Sequence, residues 1–427
     1  MPTGGAAPGR PLRGGCHDAP VPRAAALRTL LRTPAVRDAW TAFWLSRLVV
    51  LVGGVGAVLA WGVRDDNAQA FDPEGLTRPF GAALDDLLAP LARWDSVWFL
   101  EIADDGYVES EPNRTAFFPL YPLLVRAGGW VLGSPLVAGI GVSLVCLFAA
   151  LVLLHRLVEL DFGRDAARLT VLLVAAFPGA LWFSAVYSEA LYLLLSVGAV
   201  WWARTDRWAL AGLAGGLAAT SRSAGVVLLM PLFFVWWSAP GRGAPRRLGD
   251  LAWTALVPAG VLVFSLALAA AGQPFMAPFD AQAAWSRTFA GPFGAVPDAV
   301  QAGWDGARAL LRGDPAPDGA FDLRKLNVWL VGVLAATLVA LVAAVRRLPA
   351  GYWLYVVAAL ALPLSYPVAG HPLMSLPRFV AVLWPLHLAV ALWLLRRPPA
   401  VRVAALAVSF AGLAAVSGEV ASWGWVA

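Results

Sequence analysis

LTVLLVAAFPGALWFSAVYSEALYLLLSVGAVWWA, residues 169–203, contains a single acid, Glu189, and no basic residue. As one helix rising about 1.5 Å per residue it would extend roughly 50 Å, against an apolar membrane slab of about 30 Å. The stretch is too long for one crossing and short for two, so a hairpin with its tip at Tyr187-Ser188-Glu189 is the economical reading. Residues 208–238 pose the same problem, with Ser221-Arg222-Ser223 at the tip. Short helices leave both tips slightly below one membrane surface, where Glu189 and Arg222 require a polar cavity or a charged partner. That cavity is the expected pocket.

Composition extends this reading to the whole chain: 59% of residues are hydrophobic and 14% charged, with a mean hydropathy of +0.69. A soluble core could not hide that much apolar surface. Further apolar runs at 41–63, 135–155, 251–272, 326–345, 352–368, 379–395 and 401–418 predict an all-α, polytopic integral membrane protein of about 11 transmembrane helices. Arginines gather in alternate loops, at Arg156, Arg164 and Arg168, Arg204 and Arg207, Arg242, Arg246 and Arg247, Arg346 and Arg347, and Arg396, Arg397 and Arg402. The positive-inside rule makes that side the cytoplasm. The net charge of +5 is then a topology signal and not a nucleic-acid footprint.

Residues 1–39, rich in Arg, Pro and Gly, read as a disordered cytoplasmic tail, so the N-terminus is expected inside a multi-pass protein of the cell membrane. Val58-Leu59-Ala60 could pass for a signal cleavage site, but the tail is too long for an n-region. Residues 40–427 then form one transmembrane domain. Its outer face receives a first loop at 64–134 with interfacial helices, a second large loop at 273–325 and the loop at 371–377. Phe275, Phe279, Trp285, Phe289 and Phe293 in the second loop read as a lid or an aromatic belt.

Among the acids between Asp65 and Glu111, Asp95 differs from its solvated neighbours. It follows Trp94 and heads an apolar face of Trp98, Phe99 and Ile102 at helical spacing, which predicts a helix lying along the interface. A carboxylate at such a low-dielectric boundary suits general-base work, and an N-cap role weighs equally on the residues alone. Pro119 and Pro122 in AFFPLYPLLVR, residues 116–126, predict either a re-entrant wall of the pocket or a plain helix entry.

Arg222 and Arg378 each stand at the outer end of a span, where a guanidinium fork fits phosphate oxygens or snorkels to the surface. Arg47 and Arg126 are weaker candidates. His371 lies in an exposed loop, to contact a substrate or to be solvated, while His155 and His387 read as structural. The Asp pairs at 65–66, 85–86 and 104–105 are too unspecific to assign a cation, and Cys16 and Cys146 make neither a disulfide framework nor a zinc site. No metal or cofactor is expected. No phosphate-cradling glycine loop offers a nucleotide donor a home, which points to a donor already in the membrane.

The run Trp94-Asp95, Trp98-Phe99-Leu100, Ile102-Ala103, Gly106-Tyr107 and Ala116-Phe117-Phe118-Pro119 resembles the signature of the PIG-V family, the second mannosyltransferase of GPI-anchor assembly and its bacterial relatives. Phe177-Pro178, the run 184–189, Ser221-Arg222 near Gly225 and Pro377-Arg378-Phe379 resemble later blocks of that family. The resemblance implies a GT-C glycosyltransferase. It would move mannose with inversion from a polyprenyl-phosphate (dolichyl-phosphate-type) donor to a lipid-linked or glycan acceptor on the non-cytoplasmic face.

Carried over, the acid of the Trp-Asp pair is Asp95, the general base, with Trp94 and Trp98 beside it. Tyr187, Ser188 and Glu189 line the substrate pocket, and Arg222 or Arg378 holds the lipid phosphate; His371 joins the candidate substrate contacts on its loop position alone. The family's acid after Gly-Tyr falls on Glu109 or Glu111, and Trp98 stands where eukaryotic members often have His. The competing readings are a GT-C transferase of another sugar and a lipid-carrier flippase or transporter. The absence of matched broken helices weighs against a carrier.

Overall fold

A computed structural model describes residues 33–238, 247–315 and 322–426. Most of the expected N-terminal tail, Cys16, Arg242 and Arg246 lie outside these residues. The tail expectation ends too late, because helix α1 begins at Pro34, where proline's fixed φ suits a first helical position.

The described chain is helical, with isolated bridges at Arg287–Val368 and Val368–His371 in place of strands. The main helices are α1 (Pro34–Trp61), α2 (Ser96–Asp105), α3 (Leu120–Leu132), α4 (Pro135–Phe162), α5 (Arg164–Ala176), α6 (Glu189–Arg204), α7 (Trp208–Ser221), α8 (Leu229–Trp237), α9 (Leu256–Ala270), α10 (Ala295–Arg312), α11 (Leu323–Arg347), α12 (Ala350–Leu364), α13 (Leu376–Ala381), α14 (Trp384–Leu394) and α15 (Pro399–Ala421).

Five helices among the described residues are long and apolar enough to cross a membrane: α1, α4, the continuous Leu248–Ala270 segment ending in α9, α11 and α15. Leu59, Trp61, Trp130, Val145, Val339 and Val408 stand exposed on the outside of the bundle, as lipid-facing side chains do. Shorter apolar helices accompany them, among them α3, α7, α12 and α14, so of the 11 crossings expected the described residues show five by length and composition.

Small residues let the helices close on one another. Carbonyl oxygens of Trp253 and Leu256 lie 2.2 and 2.7 Å from where a Cβ would stand on Gly212 and Gly216 of α7. The carbonyl of Gly216 is equally close to Gly260 of α9. This is backbone-to-backbone packing of the kind that drives helix association in lipid. In the same way α1 closes on α15, where a Cβ on Gly53 would meet the Ala414 carbonyl.

Residues 177–188 are the exception to helical order. Phe177 is extended (φ −56°, ψ 140°), as a residue before proline prefers, so α5 stops at Ala176. A 3-10 turn, Pro178–Phe183, and an irregular run to Ser188 follow, all buried except for Pro178. Protein groups satisfy the freed backbone. Arg47 donates to the carbonyls of Ala180 (2.9 Å) and Ala175 (3.4 Å) and to the Ser184 hydroxyl. Ser143 donates to Ala185 O (2.7 Å), Ser409 donates to Ala176 O (3.0 Å), and Val186 N donates to Leu91 O (2.9 Å). Arg47 is therefore a buried clamp and neither a topology marker nor a phosphate ligand.

Arg47→Met, which keeps volume but removes every donor, should cost on the order of 3 kcal/mol, since several buried oxygens lose partners at once. Thermal unfolding in detergent micelles checks this. A melting temperature equal to wild type would show that the turn holds without the clamp.

Candidate active site

Three breaks in helical structure converge at one end of the bundle: the turn before α2, the irregular run before α6, and the α7–α8 junction. Each delivers an ionisable residue. At the junction Arg222 is extended (φ −158°, ψ 143°), which ends α7 and turns its side chain toward α6. Gly225 permits the turn, because a Cβ there would lie 2.3 Å from Ala219 N.

Glu189, fully buried at the start of α6, accepts through Oε1 from Arg222 Nη1 (2.6 Å) and from Arg378 Nε (3.0 Å). Its Oε2 is buried without a partner among the described residues. Arg222 Nη1 also reaches Ser188 Oγ (3.3 Å). Arg378, on α13, donates through Nη1 to Asp95 Oδ2 and lies over the Tyr187 ring, 4.7 Å from its centroid. Asp95, Glu189, Arg222 and Arg378 thus form one continuous network.

Asp95 occupies the N-cap position of α2 without a side-chain cap bond, so its carboxylate is free for the network. It does not stand alone at an apolar boundary as its sequence setting predicts; it sits on a guanidinium. Its backbone N–H donates to Tyr187 Oη (3.1 Å), and that hydroxyl donates to Arg93 O (3.0 Å).

The network opens on a cavity of about 170 Å³ lined by Asp95, Ser188, Arg222, Arg287 and Arg378, with Phe117, Phe118, Trp285, Phe379 and Trp425 among its walls. Phe117 and Phe118 come from the AFFP motif, whose Pro119 caps α3. The run is therefore a wall that continues into an ordinary helix, which joins the two alternatives set out above.

Arg287 is the residue that sequence reasoning missed. It is half-buried and, among the described residues, donates to backbone carbonyls alone, Tyr366 O (3.3 Å) and Met374 O (3.4 Å). Burial first, and then the charge of Arg378, push its guanidinium down to about 10, so it remains a cation at neutral pH. No periodicity marks it; its only signal is an arginine among the aromatics of the second large loop.

Other expected residues lie elsewhere. Trp94 does not line the cavity: its φ is +57°, its indole donates to Gly424 O (3.0 Å), and its ring packs against Trp423 and Trp425. Trp98 stands one ring behind the wall, stacked on Phe117 and edge-on to Trp285. Glu109 is exposed, and Glu111 is held by Arg114 Nε (2.8 Å) together with Glu101 and Asp105, so neither reaches the cavity. His371 is 6% exposed and not solvated; its Nε2 has no partner among the described residues and it does not line the cavity. Tyr187 is buried beneath Arg378 and orients the backbone at Asp95. Cys146 is a buried free thiol, and Asp85 is taken up by the backbone N–H groups of Phe80 and Gly81. Among the described residues no His, Cys, Asp and Glu group could hold a metal ion.

The fold and the network define a polytopic helical membrane protein with a cationic, aromatic-walled chamber at one end of its bundle. Residues 44–237, a stretch that holds Asp95, Glu189 and Arg222, match the family Mannosyltransferase (PIG-V). It is similar to GPI alpha-1,6-mannosyltransferase 2 of Mus musculus, 34% identical over 183 residues, covering 39% of this chain and 36% of that protein. The protein of the same name in Homo sapiens is 30% identical over 152 residues, covering 32% and 30%. GPI mannosyltransferase 2 of Drosophila pseudoobscura pseudoobscura is 29% identical over 120 residues, covering 26% of each. The chain spans about a third of the length of the curated relatives it matches. Arg287 and Arg378 lie beyond the matched stretch.

His371 gives this end of the molecule a pH dependence. Burial, and then the charge of Arg287, lower its pKa to about 4, below the roughly 6.5 of an unfolded histidine. The fold therefore favours the neutral ring. The contribution is complete above the unfolded value and is lost as pH falls toward about 4, on the order of 3 kcal/mol at most. Unfolding midpoints in micelles should drop between pH 7.5 and pH 5, and His371→Gln should flatten that drop. An equal drop in the variant would assign it to other groups.

Proposed function

We propose that this chain transfers mannose from a polyprenyl-phosphate donor to a lipid-linked or glycan acceptor, with inversion and with Asp95 as general base. The convergence of Asp95 with Arg222, Arg287 and Arg378 on one cavity carries the reading. The similarity to proteins named as mannosyltransferases supports the choice of sugar. On this reading the chamber faces away from the cytoplasm, because the arginine-rich loops lie at the other ends of the same helices.

In the reaction the acceptor hydroxyl oxygen bonds to the anomeric carbon as its proton passes to Asp95. The bond from that carbon to the phosphate oxygen breaks, and its electron pair leaves with the polyprenyl phosphate. The leaving group gains charge, and arginine forks stabilise it where it forms. Arg222 has Nε and Nη2 left for this after Nη1 is committed to Glu189 and Ser188, and Arg287 has no carboxylate partner among the described residues. Asp95 keeps Oδ1 for the acceptor while Arg378 holds Oδ2. A base paired with arginine is adequate because the hydroxyl becomes strongly acidic only as the new bond forms.

The test uses purified protein in lipid nanodiscs with radiolabelled polyprenyl-phosphate mannose, and with the glucose and arabinose donors as separate arms. Asp95→Asn should lower transfer by roughly 100-fold or more with folding unchanged. Arg287→Gln should act mainly on donor KM, by roughly ten-fold, as loss of a charge-assisted contact does. Wild-type transfer by Asp95→Asn would remove the assignment of the base, and transfer confined to another sugar would correct the donor. Lipid flipping in proteoliposomes that ignores Asp95→Asn, without any transfer, would favour a carrier.

A further inference from the structure

A second cavity lies at the same end of the bundle, where α1 and α15 end and α11 begins. It measures about 500 Å³ and is lined by Arg64, Asp322, Lys325, Trp329, Glu419 and Trp425, among others. That is within the ~300–1,000 Å³ of small-molecule sites. We propose that it is the subsite for a neutral glycan, the acceptor of the transfer proposed above; the proposal rests on that reading for the acceptor's role but not for binding.

Charge separates the two cavities. The smaller one presents three arginines against Asp95 at its surface, with Glu189 beneath. Among the residues lining the larger one the charges balance: Arg64 Nη2 meets Glu419 Oε1 at 2.7 Å, and Lys325 Nζ lies 3.7 Å from Asp322 Oδ2, a carboxylate that Arg324 Nε holds at 2.9 Å from outside the lining. The lining itself carries no excess of cations for an anion. A polyhydroxylated neutral ligand fits, since its hydroxyls can donate to Glu419 and accept from Arg64 and Lys325. Both members of the Arg64–Glu419 pair are 45% exposed, and exposed pairs are worth so little that sharing them with a ligand costs little. Trp329 and Trp425 add flat apolar surface for the C–H faces of a sugar ring.

The pair lies directly against the backbone of Gly424: a Cβ there would lie 2.3 Å from Arg64 Nη1 and 2.3 Å from Glu419 Oε1, so a side chain at this position would push these flexible ends aside. The two cavities also meet. Trp425 lines both, and its ring centroid is 4.8 Å from that of Trp94, the residue before Asp95. A glycan seated along Trp425 therefore presents its end to the Asp95 chamber.

The experiment is saturation-transfer NMR with mannobiose as probe, on the full chain in nanodiscs. Saturation transfer is expected for wild type and for Asp95→Asn, and a loss of about five-fold or more for Glu419→Gln and Trp329→Ala, in line with removing one or two ligand contacts. Glu419→Gln is an exposed, isosteric change, and wild-type melting of that variant certifies its fold. No signal in wild type, or equal signal in wild type and both variants, overturns the proposal. If mannobiose binds as described but Asp95→Asn transfers mannose normally, the subsite stands and the assignment of the base falls. If transfer depends on Asp95 and mannobiose ignores Glu419 and Trp329, the transferase reading stands and this subsite falls.

Discussion

Backbone that leaves helical order among membrane-crossing helices must find its hydrogen bonds inside the protein, because lipid offers none. Residues 177–188 meet this demand through Arg47, Ser143 and the carbonyl of Leu91, and Ser409 takes up the carbonyl of Ala176 just before them. The rest of the site follows from it. A continuous helix through Pro178 would carry Tyr187, Ser188 and Glu189 onward at helical spacing and past the α7–α8 junction. Instead the 3-10 turn and the irregular run after it interrupt the helix and start α6 at Glu189, within reach of Arg222 and Arg378.

The charges within the chamber serve different ends. A buried ion pair is weak support for stability, since desolvation offsets much of the attraction. Glu189, fully buried and bonded to two guanidiniums through a single oxygen, acts chiefly as a fixed counter-ion that sets the positions of Arg222 and Arg378. Arg287 lacks such a counter-ion among the described residues and leans on carbonyls. Three cations over two acids leave the chamber with a net positive charge, in keeping with the donor proposed above. A phosphate group, with several acceptor oxygens, matches the unused donors.

Asp95, Glu189, Arg222 and Arg378 could be picked out of the sequence because an ionisable residue at the end of an apolar run stands against its background. Arg287 could not, since a loop has no periodicity to violate. Five of the apolar runs form helices long enough to cross, but other boundaries are not legible from hydropathy: α5 stops at Ala176 inside the run 169–187, and α14 fills only part of the run 379–395, because Pro178 and the bends around Leu383 cut the helices where hydropathy is unchanged. Trp94 reads as a pocket wall because it adjoins the acid, but its positive φ and the bond of its indole to Gly424 O turn it away. Glu109 and Glu111 were reached by carrying over a motif across a spacer, and the structure gives Glu111 to Arg114. His371 follows a glycine and precedes a proline, which reads as an exposed turn, yet the loop folds back over it.

The reversal at Trp94 has a structural logic of its own. A bulky residue at φ +57° is strained by roughly 1–3 kcal/mol, and two features hold it. The indole N–H is fixed on Gly424 O, and the Tyr187 hydroxyl bridges the backbone on either side of the strained residue, donating to Arg93 O and accepting from Asp95 N. With the turn held, neighbouring side chains part: Trp94 packs into the wall shared with Trp425, and Asp95 enters the cationic chamber. Tyr187 comes from the same irregular run that Arg47 and Ser143 secure, so the clamp on that run and the aim of Asp95 are one construction. Loosening the run would therefore free the strained turn and let the acid swing away from Arg378, even though Arg47 touches neither Asp95 nor the cavity.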